Sequence, residues 1–156
     1  MNMKTIVLDT NLLILLVVGQ SSRDYIEKHK RLKAFTVGDY DLLMSLLGQA
    51  SSIRFTPNTL TETSNLLKQI SEPACSNIFH KFAEIINRFD ETYIESRIGT
   101  QQDEFVRLGL ADSVLLLLST NPALILVTAD LRLWLAATER GLNALNFNHH
   151  REFNSS

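Results

Sequence analysis

Thr5-Ile6-Val7-Leu8-Asp9-Thr10-Asn11, followed by the unbroken apolar run Leu12 to Val18 and then Gly19, sets the frame for the rest of the chain. Thr5 to Leu8, β-branched and aliphatic, predicts a short buried strand. The strand stops at Asp9, Thr10 and Asn11, which suit turns and helix starts. Leu12 to Val18 then predicts a short buried helix ended by Gly19. Lys4 ahead of an apolar stretch also imitates a secretory signal. Against that reading, Asp9 and Asn11 fall inside what would be its apolar core, where an ionised carboxylate is costly. The apolar run is also too short to span a bilayer. The segment is therefore expected to be the first strand and helix of a cytoplasmic domain that does not enter a membrane.

Outward from this frame, strand and helix signals alternate without repeats, low-complexity tracts or a linker. Ser22 to Ala34 reads as a polar, exposed helix, and Asp39 to Leu47 as another closed by Gly48. Ile53 to Phe55 is a second short strand. Thr56 and Pro57 make a good helix start, cap and first turn, for Asn58 to Ile70. Within Pro73 to Phe89, the residues Ile78, Phe79, Phe82, Ile85, Ile86 and Phe89 share one helical face. Thr100 to Leu108 and Asp112 to Leu118 predict two helices broken at Gly109. Leu124 to Val127 is the clearest strand. A helix from Leu131 to Arg140, a stop at Gly141 and a short strand over Ala144 to Phe147 follow. Strands separated by helices predict an α/β fold, a short parallel sheet with helices on both faces. Residues 1–148 are expected to form one domain and 149–156, with His149, His150 and Arg151, a flexible tail.

Composition narrows the classes. The chain has 156 residues, 45 % apolar and 21 % charged, enough for one ordinary globular core. A single cysteine, Cys75, excludes an internal disulfide and a thiolate zinc site, and reads as a buried structural residue. The net charge of −2 gives no global pull towards phosphate, so a nucleic-acid partner would need local basic patches or bound cations. There is no Gly-x-Ser-x-Gly elbow and no Gly-rich phosphate loop.

In a parallel α/β sheet, ligands sit at the carboxyl ends of the strands. Asp9 directly follows the first strand and Asp130 the Leu124 strand. Each also reads as a plain helix cap, with Thr128 helping Asp130. Asp112 lies in Leu108-Gly109-Leu110-Ala111-Asp112-Ser113-Val114, among neighbours apolar enough to bury it. A buried carboxylate needs a partner, whether a helix N-terminus, a cation or a metal. Glu62 taken singly reads as a solvated helix residue.

Four segments resemble the PIN-domain nucleases, the fold shared by the VapC toxins of toxin–antitoxin pairs. They are Ile6-Val7-Leu8-Asp9-Thr10-Asn11, Thr56-Pro57-Asn58-Thr59-Leu60-Thr61-Glu62, Gly109-Leu110-Ala111-Asp112-Ser113, and Val127-Thr128-Ala129-Asp130. They stand in the family's order and span nearly the whole chain. The resemblance implies a PIN-like three-layer α/β/α domain in which Asp9, Glu62, Asp112 and Asp130 form a metal-binding catalytic cluster. It implies supporting polar roles for Asn11 and Thr128. The stretch between Asn11 and Glu62 is longer than in compact members, which bears on substrate choice and partner surface.

Such a cluster suits Mg2+ or Mn2+, which prefer hard oxygen ligands. Four carboxylates brought together repel unless cations lie between them. One or two ions would help to make a hydroxide from water and stabilise charge in phosphodiester hydrolysis. The expected activity is thus a metal-dependent endoribonuclease, by resemblance a toxin neutralised by an antitoxin protein and assembled as a homodimer. The alternative is a catalytically inactive PIN-like module that binds RNA or protein. A phosphoacceptor receiver is a weaker rival, because no second acid adjoins Asp9 and no lysine follows Lys81. For substrate grip, Lys28, Lys30 and Arg31 could track a phosphate backbone, although a solvated helix face balanced by Asp24 and Glu27 is the plainer reading. Arg132 and Arg140 flank the last long helix and are further candidates.

Overall fold

Alternation within the first strand divides the protein into layers. In β1 (Thr5–Leu8), Ile6 and Leu8 point to one side and Val7 to the other, as the two-residue period of a strand requires. Ile6 and Leu8 join the larger apolar core. Val7 joins a second one with Leu115, Leu116, Leu124, Leu126 and Leu133. The computed structural model describes residues 4–154, and in it helices cover both faces of the sheet.

The sheet has five parallel strands in the order β3-β2-β1-β4-β5, with β2 at Ser52–Phe55, β3 at Asp90–Glu91, β4 at Leu124–Thr128 and β5 at Ala144–Asn146. Register runs Thr5 to Ser52 on one side and Thr5 to Leu124 on the other. The chain leaves β1 first towards β2 and later returns to β4 on the opposite side. The point between β1 and β4 is therefore the place where strand order reverses, and ligands of such sheets bind at the carboxyl ends beside it.

Helix α1 (Thr10–Ser21) packs against α2 (Val37–Gly48), α3 (Pro57–Leu67) and α4 (Ala74–Arg88). Leu12 to Val18 are at most 4 % exposed, so the helix is apolar all round, as a helix enclosed on every side must be. It does not end at Gly19 as expected but runs two residues further. A Cβ on Gly19 would lie 2.3 Å from the Tyr40 ring, so this glycine serves close packing of α2 and not a helix stop. Gly48 likewise lies inside α2, whose cap is Gln49.

The expected helix over Ser22 to Ala34 is absent. Two 3-10 turns, Arg23–Tyr25 and Lys30–Leu32, stand in its place. The buried residues here are Ile26, His29, Leu32 and Phe35, a spacing of three that suits 3-10 geometry and not the 3.6 of an α-helix. His29 is held by the Leu67 carbonyl at 3.0 Å and accepts the Arg31 N–H at 3.1 Å.

On the other face lie α5 (Ser96–Thr100), α6 (Phe105–Leu108), α7 (Leu110–Leu118) and α8 (Leu131–Glu139). The predicted helix from Thr100 to Leu108 is thus two short pieces. Gly109 separates α6 from α7 at φ +85°, a conformation open to glycine and strained for other residues. Residues 149–154 depart from the expected tail and continue α9 (Phe147–Asn154). Arg151 docks this helix by donating to Asp39 at 3.1 Å and to the Ala34 carbonyl at 2.6 Å, and its guanidinium covers the Phe35 ring. Residues 155 and 156 lie outside the described region. Among the described residues, no helix is long and apolar enough to cross a membrane.

Candidate active site

Asp9 ends β1 and caps α1. Its Oδ1 accepts the Leu12 N–H at 3.1 Å, satisfying a donor that the first turn of a helix leaves free. Its Oδ2 accepts the Thr128 hydroxyl and the Ala129 N–H at 3.2 Å. The residue is 5 % exposed. Burial pushes its pKa up, and the bonds from Thr128, Leu12 and Ala129 oppose that rise.

Asp130 repeats the device one strand over. Its Oδ1 caps α8 through the N–H groups of Arg132 at 2.8 Å and Leu133 at 3.3 Å, and its own N–H donates to the Thr128 hydroxyl at 2.9 Å. Thr128 thus ties Asp9 to the chain at Asp130. The capping reading of both acids is correct, and it does not compete with a functional one. Oδ2 of Asp130 has no hydrogen-bond partner among the described residues.

Asp112 stands in the first turn of α7, half-buried, and it caps nothing; the helix begins at Gly109 without a side-chain cap. Its pKa is pushed up to about 7, first by burial and then by the negative charges of Asp130, Asp9 and Glu62, with Arg132 opposing. Glu62 reaches this group from the exposed side of α3, a helix packed against α7. The charges of Asp130 at the end of β4, Asp9 at the end of β1 and Glu62 on α3 thus all act on Asp112 of α7. Arg132 belongs there too, with one guanidinium N–H on the Arg107 carbonyl at 3.0 Å. Asn11, on the first turn of α1, is half-buried and makes no side-chain hydrogen bond with the described residues.

The basic run is elsewhere. Lys30 donates its backbone N–H to the Gln69 carbonyl beyond the far end of α3, and Lys28 and Lys30 share a cleft with Lys68 and Glu72. Arg31 is exposed on the same segment. None of the three enters the electrostatic surroundings of Asp112 given above. Arg140 is engaged in an ion pair with Glu104 at 2.8 Å and a bond to Gln102, which ties the start of α6 to the end of α8. Cys75 is half-buried, and burial together with nearby Glu72 raises its pKa, so the thiol stays protonated at neutral pH.

The donor set is chemically suited to a hard divalent cation. All four side chains offer carboxylate oxygen, and Asp130 keeps one oxygen unbonded. Among the described residues, however, no group of three or more His, Cys, Asp or Glu side chains is positioned to hold a metal ion. Magnesium usually takes only one or two protein carboxylates and completes its shell with water and phosphate oxygens. The arrangement meets that lesser demand in ligand type.

A cleft adjoins the acids on the α3 side. Asn58, Thr61, Glu62 and Asn65 of α3 line it together with Tyr93, Leu110 and Ala111. Sequence reasoning missed Tyr93; its signal was an aromatic residue in a polar loop after a helix.

No known protein-family profile matches the chain, and no curated relative matches it. Among solved structures, it is similar to a domain of a functionally unknown protein from Methanocaldococcus jannaschii DSM 2661. The two share 13 % identity over 92 % of this chain and 90 % of that chain, with a TM-score of 0.45.

Proposed function

We propose that this chain is a PIN-like, divalent-metal-dependent endoribonuclease. The observation that carries the reading is the electrostatic convergence on Asp112, where three carboxylates from three other elements help raise its pKa to about 7. A fold gains nothing in stability from bringing four acids together, so the cluster calls for a cation. The four motif segments named above, with their order along the chain, support the same reading.

Asp9 and Asp130 are the residues that would hold Mg2+ or Mn2+, with Glu62 and Asp112 facing a second ion or the attacking water. The ion would supply charge neutralisation for the phosphodiester. The chain's own contribution is orientation. Two helix N-termini fix the carboxylates of Asp9 and Asp130, Thr128 adds a bond to that of Asp9, and the burial of Asp9 keeps bulk water from screening it. Asp112, poised near neutrality, is suited to accept a proton from a water beside the phosphate. By resemblance, the wider setting is a toxin with a basic antitoxin segment that neutralises the acids, and a homodimer.

A second reading has its own support. The described residues hold no group of three metal ligands, and as the side chains stand this favours an inactive PIN-like module that binds RNA or protein. The experiment that separates the two is cleavage of a mixed cellular RNA pool by purified protein with Mn2+ or Mg2+, with EDTA, and by Asp112→Asn. Fragments that vanish with chelator and with the variant are expected. RNA left intact by the wild-type protein in both metals would favour the binding module.

A further inference from the structure

We infer that the cleft beside the acid cluster is a nucleobase subsite, with Tyr93 as its stacking platform and Asn58 and Asn65 as its edge-reading groups. The inference rests on the ribonuclease reading above and adds to it how the substrate is held next to the reacting phosphate.

The cleft is chemically unlike a phosphate site. Its lining contains no lysine, arginine or histidine, and its one carboxylate, Glu62, would repel an anion. What it offers is flat and neutral. Tyr93 is 73 % exposed, a high value for an aromatic side chain that gains by burial. Its backbone is nevertheless anchored. The N–H of the preceding residue, Thr92, donates to the Phe55 carbonyl at 2.8 Å, and the Thr92 hydroxyl receives Arg54 at 3.0 Å. The backbone leading into Tyr93 is thus pinned at the end of β2, and the ring surface is uncovered.

Asn58 and Asn65 make no side-chain hydrogen bond with the described residues, so their amides are available. Each amide presents both a donor and an acceptor, the combination found along the edge of a base. Ile94 and Leu110 add apolar lining. Glu62 and Ala111, the latter next to Asp112 in sequence, place this cleft against the acids. A base stacked on Tyr93 would hold its own phosphate near the carboxylates, and only an unpaired base can enter.

The test uses the full chain and two readouts. Binding is measured by anisotropy of a fluorescein-labelled single-stranded RNA of mixed sequence, in an Asp112→Asn background so that no cleavage intervenes. Adding Tyr93→Ala should weaken binding about tenfold, whereas Tyr93→Phe, which keeps the ring, should bind as well as its parent. The same RNA annealed into a duplex should bind more weakly and be indifferent to Tyr93. In the wild-type background, Tyr93→Ala should raise KM with kcat retained. Tight RNA binding or cleavage that Tyr93→Ala leaves unchanged within about twofold would overturn the subsite and leave the ribonuclease standing. RNA neither bound nor cleaved by the wild-type chain would remove both.

Discussion

The hydroxyl of Thr128 donates to Oδ2 of Asp9 across 119 positions of sequence, joining the carboxyl ends of the two central strands. The Thr128 hydroxyl oxygen also accepts the backbone N–H of Asp130 at 2.9 Å. Replacement by the isosteric Thr128→Val leaves a buried carboxylate with one fewer donor and a backbone N–H without its acceptor. The expected loss is about 1–3 kcal/mol. It would be read from the urea midpoint at constant m-value. Thr128→Ser should recover most of it; a larger loss from serine than from valine would assign the effect to methyl packing instead.

Asp112 predicts an inverted pH response. Its pKa rises from 3.8 to about 7 on folding, so the folded state holds its proton where the unfolded chain has released it. Stability from this group is therefore full below about pH 4 and is lost as pH climbs to about 7, after which the deficit is constant. In metal-free buffer, Asp112→Asn should exceed the wild type at pH 8 by about 2 kcal/mol, a figure reduced for partial exposure. The two should converge near pH 4. A variant less stable than wild type at pH 8 would mean that Asp112 secures the fold.

Cations should reverse that deficit. Mn2+ at about ten times its Kd should add about 1.4 kcal/mol and raise Tm by about 3–6 °C at pH 8. The rise should disappear in Asp130→Asn and in EDTA. A wild-type Tm indifferent to millimolar Mn2+ would count against a cation site at the cluster.

Gly19 and Gly48 make a control pair within the helices. A Cβ at Gly19 meets the Tyr40 ring at 2.3 Å, whereas one at Gly48 meets nothing within 4 Å. Gly19→Ala should destabilise by about 1–3 kcal/mol through overpacking. Gly48→Ala should be neutral or stabilising by up to about 1 kcal/mol through helix propensity. Thermal melts of the two variants, compared side by side, check both; similar Tm values would mean that Tyr40 moves aside freely.

The sheet and the acids were legible because they rest on local rules. Thr5 to Leu8 and Leu124 to Val127 are apolar runs that end in Asp, and such runs make buried strands whatever surrounds them. Ser22 to Ala34 misled because its surface residues are charged and helix-forming. The burial of Ile26, His29 and Leu32 at intervals of three depends on packing against α1 and on the Leu67 carbonyl of α3, tertiary contacts that a local window does not show. β3 escaped because Asp90 and Glu91 are exposed edge residues with no apolar signal. The acids of the candidate site could be picked out residue by residue, but their couplings could not. That Asp112 feels Asp130, Asp9 and Glu62 depends on distances set by the whole fold, and Tyr93 matters only through the cleft it borders.

Two of the four acids are also the caps of α1 and α8. The molecule therefore divides its carboxylates into a pair bound to its architecture and a pair free of it. An alanine at position 9 or 130 strips a helix cap as well as a carboxylate, so any phenotype it gives conflates folding with the proposed chemistry. Substitutions at Glu62 or Asp112 remove no helix cap, so the proposed chemistry is best tested in an intact protein there. On the ribonuclease reading proposed above, the same division would order decay over generations: a lineage relieved of catalysis would shed Glu62 and Asp112 without losing a cap, while Asp9 and Asp130 would be kept for their helices.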